Sequence, residues 1–144
     1  MKLTLLGTGC PSVDFKRCGS SNLISTKSTK ILVDCGSGVT QRLNQSKNSS
    51  ADIDALLLTH LHTDHVIDLY QLIISSWHSY RLKPWIIYGP RGTKKFVSKI
   101  MDTWKDERLL RIKYESRSSS SAFNTIIKEF FECKRSFSLK EIIF

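Results

Sequence analysis

Apolar and polar positions change period several times along the chain, and each change marks an expected element. KLTLL (2–6) alternates as a short strand, and Gly7 to Pro11 follows as a tight turn. SNLIST (21–26) and KILVD (30–34) read as two further strands, joined as a hairpin by Lys27, Ser28 and Thr29. Asp34 to Gly38 ends the second of them and opens a helix over about VTQRLNQ (39–45), before the polar loop NQSKNSS (44–50). IDALLL (53–58) is a continuous apolar run, which predicts a buried strand. VIDLYQLIISSWHSY (66–80) has helical spacing, with Val66, Leu69, Tyr70, Ile73 and Trp77 on one stripe. WIIYG (85–89) is a strand, and TKKFVSKIMDTWKDERL (93–109) predicts one amphipathic helix with Phe96, Ile100 and Trp104 as its stripe. SRSSSS (116–121) is a low-complexity loop. AFNTIIKEFFEC (122–133) fits strand or helix, and FSLKEIIF (137–144) fits a strand. Strands alternating with helices put the chain in the α/β class.

Composition adds bounds. The 144 residues are 40% hydrophobic, enough for one domain with its own core. The formal net charge is +9, which favours anionic partners such as nucleic acid. Residues 81–117 carry +7 of it, as eleven basic against four acidic side chains. Exposed helix faces with i,i+4 pairs and a phosphate-facing surface are both open readings of that segment. Cys10, Cys18, Cys35 and Cys133 form no CxxC pair, so a cysteine zinc site is not expected. The apolar run Leu3–Leu6 is too short for a signal segment, and no run approaches the roughly 20 residues of a membrane span. The expectation is a soluble, cytoplasmic protein without a membrane partner.

Candidate chemistry concentrates in HLHTDH (60–65). Three of the four histidines, His60, His62 and His65, fall in these six residues together with Asp64. At an extended strand end, side chains two apart project to the same side, so His60 and His62 can share a metal. Asp64 and His65, in the turn into the next helix, can converge on a second. Imidazole with carboxylate suits zinc, with manganese and iron as alternatives. A histidine-rich loop without metal is the bland alternative, and four ligand-type residues in six argue against it. His78, the fourth histidine, reads as a surface or half-buried side chain.

THLHTDH (59–65) resembles the HxHxDH signature of the metallo-β-lactamase superfamily. LLGTGCPSVDFKRCGSSNLI (5–24) resembles the opening of ribonuclease Z and its phosphodiesterase relatives, and ILVDCGSGVTQRL (31–43) resembles the aspartate segment of that family. The three occur in family order over at least residues 3–100. The resemblance implies an αββα sandwich and two divalent metals, Zn2+ foremost. His60 and His62 would hold the first metal and Asp64 and His65 the second, with Asp64 also moving a proton. Asp34 would orient a ligand histidine from behind, while a plain turn or cap role for it stays open. Gly7, Gly9, Gly36 and Gly38 would permit tight turns near the metals. Arg17, Ser20 and Ser21 would lie by the substrate, or on a hairpin that does not touch it. The implied activity is two-metal hydrolysis of a phosphodiester, with precursor transfer RNA as the family's substrate.

The chain also departs from the pattern. The family places a third histidine ligand, a bridging aspartate and a final histidine after HxHxDH, yet none of the 66 residues after His78 is a histidine. FSLKEIIF resembles the strand region just before the missing third histidine. Residues 1–144 are therefore expected to form a single partial domain, the N-terminal half of a truncated sandwich, weak or inactive as a hydrolase alone. Asp68 stands where the family usually has glycine, and the Gly/Pro-rich arm of some ribonuclease Z enzymes is not visible. Alternatives are a related hydrolase of a small ester or cyclic nucleotide, and a non-catalytic RNA-binding or assembly module, including a homodimer that completes the site.

Overall fold

The computed structural model describes residues 1–115 and 123–130. Six strands form one sheet in the order β1 (Lys2–Gly7), β2 (Ser21–Ser25), β3 (Lys30–Val33), β4 (Ala55–Leu57), β5 (Trp85–Pro90) and β6 (Thr125–Phe130). The first three are antiparallel and the last three join in parallel. The expected hairpin is present, with Leu23 opposite Leu32. Each parallel connection carries helix: α1 (Val39–Gln45), then α2 (Thr63–Val66) and α3 (Leu69–His78), then α4 (Thr93–Thr103) and α5 (Lys105–Glu115). The strands are added in one direction, so crossovers of one hand lay these helices on one face. That face carries Leu23, Leu32, Leu56 and Ile87, all buried against Val39, Leu43, Leu69, Leu72, Ile73 and Val97. The opposite face is apolar too, but Leu3 and Leu5 are 60% and 63% exposed, and Ile24, Ile31, Val33, Leu57, Ile86 and Tyr88 are only half-buried.

Three boundaries differ from the sequence expectation. The helix expected over 66–80 is two: α2 ends at Val66 and α3 starts at Leu69, with Asp68 between them. The helix expected over 93–109 breaks at Trp104, which is 46% exposed. Its buried stripe is Thr93, Val97 and Met101, flanked by half-buried Phe96 and Ile100. The Trp104 indole leaves the helix path to stack on Tyr70, with ring centroids 5.0 Å apart, and Arg108 donates to the Met101 carbonyl that the break leaves open. The ambiguous segment at 122–133 is strand over Thr125–Phe130, because it pairs with β5 from Trp85 to Pro90. The low-complexity loop 116–121 and the strand expected over 137–144 lie outside the described residues.

The basic segment divides. Arg81 is buried, donates to the Ala51, Ile53, Lys83 and Pro84 carbonyls and lies over the Trp85 ring. Burial lowers its pKa to about 10. Lys83 pairs with Asp54, and Arg111 pairs with Glu107 and Glu115 at i,i+4 spacing. These residues hold the fold, while Lys94, Lys95 and Lys99 of α4 are exposed. No helix among the described residues is long and apolar enough to cross a membrane.

Candidate metal centre

The centre is built where β3 and β4 run out side by side. Asp34 follows β3, is 3% exposed and has φ 61°. That left-handed conformation is uncommon outside glycine and costs on the order of 1 kcal/mol. It is held from several directions. The Asp34 amide donates to the Leu57 carbonyl at 2.8 Å, which carries the parallel ladder one residue further. Its carboxylate accepts from the Thr59 amide at 2.8 Å and from the Thr59 hydroxyl at 2.9–3.0 Å, and lies 2.8 Å from His65 Nδ1. A buried anion with this many polar partners is satisfied and directional.

The histidines do not sit on the strand. β4 ends at Leu57, and His60 and His62 lie on the loop that follows. Alternation along a strand is therefore not what brings them together, which corrects that part of the sequence reading. The loop itself does so: the His60 ring is 4.6 Å from His62 and 4.0 Å from His65, centroid to centroid. His62 precedes α2, with Asp64 and His65 in its single turn, and Asp64 Oδ2 lies 3.5 Å from His65 Nε2. His60 Nδ1 is 3.0 Å from the Thr59 hydroxyl. His78 is away from this group, at the end of α3 beside Trp77 and Glu115.

Backbone contacts press α2 against the β3–α1 loop. The Cys35 amide donates to the His65 carbonyl at 2.7 Å and the Asp68 amide to the Cys35 carbonyl at 3.1 Å. Gly36 makes this approach possible, since a Cβ there would lie 2.3 Å from the Asp64 carbonyl oxygen. Gly19, which the sequence reading did not single out, closes the third side, where a Cβ would lie 2.5 Å from the Ser37 amide. Burial, and then Asp68 and Asp34 nearby, push the Cys35 thiol well above its ordinary range, so it is a neutral filler here. Asp68 accepts from the Thr40 amide and hydroxyl at 3.0 and 2.8 Å, tying the α2–α3 break to the start of α1.

Of the residues expected at the substrate, Arg17 is exposed and lines a cleft of about 230 Å³ that reaches Asp64. Cys10 to Asp14, Ser37 and Ile67 form its other walls. Larger clefts lie elsewhere, and neither they nor this one is lined by a histidine. Ser20 is half-buried. Ser21 is fully buried and its hydroxyl accepts from the Gly36 amide at 3.0 Å, so it braces the loop and does not face a substrate. Thr59 is a contact that sequence reasoning missed; its place directly before the first motif histidine was the available signal.

The donor set fits a divalent metal in kind. His65 Nδ1 is engaged by Asp34, and its other nitrogen faces a carboxylate oxygen, an arrangement that a shared cation relieves. It does not fit in number: among the described residues no three His, Cys, Asp or Glu side chains are grouped closely enough to hold an ion.

The family model of the Anti-Pycsar protein Apyc1 matches residues 1–135. The chain belongs to that family. Apyc1-family membership sits alongside a strong likeness to ribonuclease Z. The chain is 43% identical over 104 residues to ribonuclease Z of Mycolicibacterium gilvum (strain PYR-GCK), covering 70% of this chain and 36% of that protein. It is 40% identical over 119 residues to the Mycolicibacterium paratuberculosis enzyme, covering 81% and 42%. The structure superposes on human tRNase Z, short form (ELAC1), with TM-score 0.71 and 25% identity over 93% of this chain and 46% of that one. It superposes on the metallo-β-lactamase fold protein YhfI of Bacillus subtilis with TM-score 0.64 and 21% identity, covering 89% and 44%. The expected fold is thus shown: an α/β chain of the metallo-β-lactamase fold, resembling ribonuclease Z over a portion of its length. It spans about two-fifths of the curated relatives it matches.

Proposed function

We propose that these residues carry one side of a two-metal phosphodiesterase centre of the ribonuclease Z type. The observation behind this reading is the gathering of His60, His62, Asp64 and His65 around buried Asp34. His60 and His62 would hold one metal, Asp64 and His65 the other, with Zn2+ preferred by the donor chemistry and Mn2+ or Fe2+ as alternatives. When bound, such a pair supplies Lewis acidity and lowers the pKa of water toward neutrality. The protein's own residues do the rest. Asp34 keeps the His65 ring in one orientation. Asp64, which lines the cleft, would take and return a proton. Arg17, which lines the cleft, would hold a phosphate oxygen, and Ser20 stays a candidate beside the substrate. Ser21 drops out of the substrate set.

Two protein donors per metal fall short of the usual three. The missing donors would come from beyond the described residues, from other chain or from a second copy in a homodimer, and the chain alone would be a weak or inactive hydrolase. Precursor transfer RNA is the proposed substrate, on the ribonuclease Z likeness and the exposed lysines of α4. The family match and the small cleft favour a second reading, a cyclic nucleotide or similar small phosphodiester.

The test offers the zinc-supplemented chain both a precursor transfer RNA transcript and a cyclic nucleotide. The RNA reading expects salt-sensitive RNA binding with little cleavage, unchanged by excess cyclic nucleotide. Binding of the nucleotide alone, lost in Arg17→Ala, would replace it with the second reading. Robust cleavage by the monomeric chain would contradict the donor count.

A further inference from the structure

We infer that one buried carboxylate, Asp34, sets the tautomer of two site histidines: His65 directly, and His60 through the hydroxyl of Thr59. This rests on the metal-centre reading for its purpose, not for its geometry. The Thr59 hydroxyl has one proton to give. Both Asp34 carboxylate oxygens lie within 2.9–3.0 Å of it, so the proton goes to the anion. The hydroxyl lone pairs then face His60 Nδ1 at 3.0 Å. A lone pair against a lone pair is repulsive, so His60 carries its proton on Nδ1. His65 Nδ1 lies 2.8 Å from Asp34 Oδ2, and an ionised carboxylate only accepts, so His65 carries its proton on Nδ1 as well.

The Thr59 amide, also donated to Asp34 at 2.8 Å, fixes the hydroxyl's place by holding the residue's backbone to the same carboxylate. The consequence is shared polarity. His60 and His65, with ring centroids 4.0 Å apart, both turn Nδ1 toward the same pivot, which leaves Nε2 of His60 bare, while Nε2 of His65 also faces Asp64 Oδ2 at 3.5 Å. Bare nitrogens accept a cation, and proton-bearing ones do not. Thr59 is therefore a positioning residue, acting through His60. Serine preserves the hydroxyl. Valine keeps the shape and removes the relay. Thr59 is exposed, so the exchange opens no void in the core.

The decisive readout is the nitrogen-15 spectrum of the histidine rings in the metal-free 144-residue chain at about pH 8.5, two units above the ordinary imidazole pKa. The wild-type chain is expected to show His60 and His65 both protonated on Nδ1. Thr59→Val should move His60 alone to a mixed or Nε2-protonated form, and Thr59→Ser should restore it. Zinc affinity should fall by about 10-fold in Thr59→Val and recover in Thr59→Ser. Nε2 protonation of His60 in the wild-type chain overturns the relay without any variant. So does a His60 tautomer that ignores Thr59→Val. The expected tautomers without zinc binding would uphold the relay and count against the metal centre.

Discussion

At the scale of single residues, close backbone approach and one buried anion decide whether the candidate centre exists. Gly36 is the sharpest case, because a methyl group there would meet the Asp64 carbonyl at 2.3 Å and the Gly19 carbon at 2.5 Å. Both neighbours are backbone and cannot rotate away. Gly36→Ala should cost at least about 2 kcal/mol in denaturant unfolding, and should displace Asp64 so that residual zinc binding is lost. Asp68 makes a smaller contribution that is easier to isolate. It caps the first turn of α1 from the break between α2 and α3, and Asp68→Ala should cost about 1 kcal/mol, measured by urea unfolding with zinc absent. HLHTDH stands out in the sequence by type and spacing, and Asp34 was singled out through the family resemblance alone. Thr59 and Gly19 were not singled out, because their roles depend on contacts with distant parts of the chain, Thr59 with Asp34 and Gly19 with Ser37. Ser21 was left open between substrate and hairpin for the same reason: a serine beside a motif looks available until its burial is known.

At the scale of elements, long-range packing overrides local period. Val66 to Tyr80 keeps one helical stripe in the sequence, yet the chain breaks at Asp68 because that carboxylate and its amide are both recruited elsewhere. Residues 93–115 likewise contain no glycine or proline at the break. Only the stacking of Trp104 on Tyr70 explains it. The Tyr70 hydroxyl donates to Glu107, and burial and then that carboxylate push it up to about 12, so it stays protonated. The strand identity of 125–130 is set by its partner β5, which no local pattern reveals. One electrostatic link ties the β3 and β4 ends to the chain before β5. Burial works against ionisation of Asp54, but hydrogen bonds from Lys83 and the Lys30 amide outweigh it and hold the carboxyl below its ordinary 3.8. A depressed folded-state pKa adds stability above the unfolded value and loses it as pH falls through the folded value. Asp54→Asn should therefore flatten the stability loss below about pH 4 and leave the slope near pH 7 unchanged, as followed by thermal unfolding across that range.

At the scale of the whole molecule, one face of the sheet is covered and the other is open among the described residues. The covered face is a continuous core from β2 to β5. The open face offers Leu3, Leu5, Ile24, Ile31, Val33, Leu57, Ile86 and Ile126, an apolar stretch of a kind that folded proteins normally bury. The chain should accordingly self-associate, with sedimentation velocity showing a mass that rises with concentration and Leu5→Lys shifting it toward monomer. A monomer at all concentrations would contradict this. In the proposed centre, four donors would have to serve two metals. The most direct measurement is metal content per chain, by elemental analysis of the zinc-exposed, gel-filtered monomer beside its His60→Ala/His62→Ala variant. The account predicts well under one zinc per wild-type chain after filtration and a further loss in the variant. Two firmly held metals per monomer, or zinc retained equally by the variant, would contradict it.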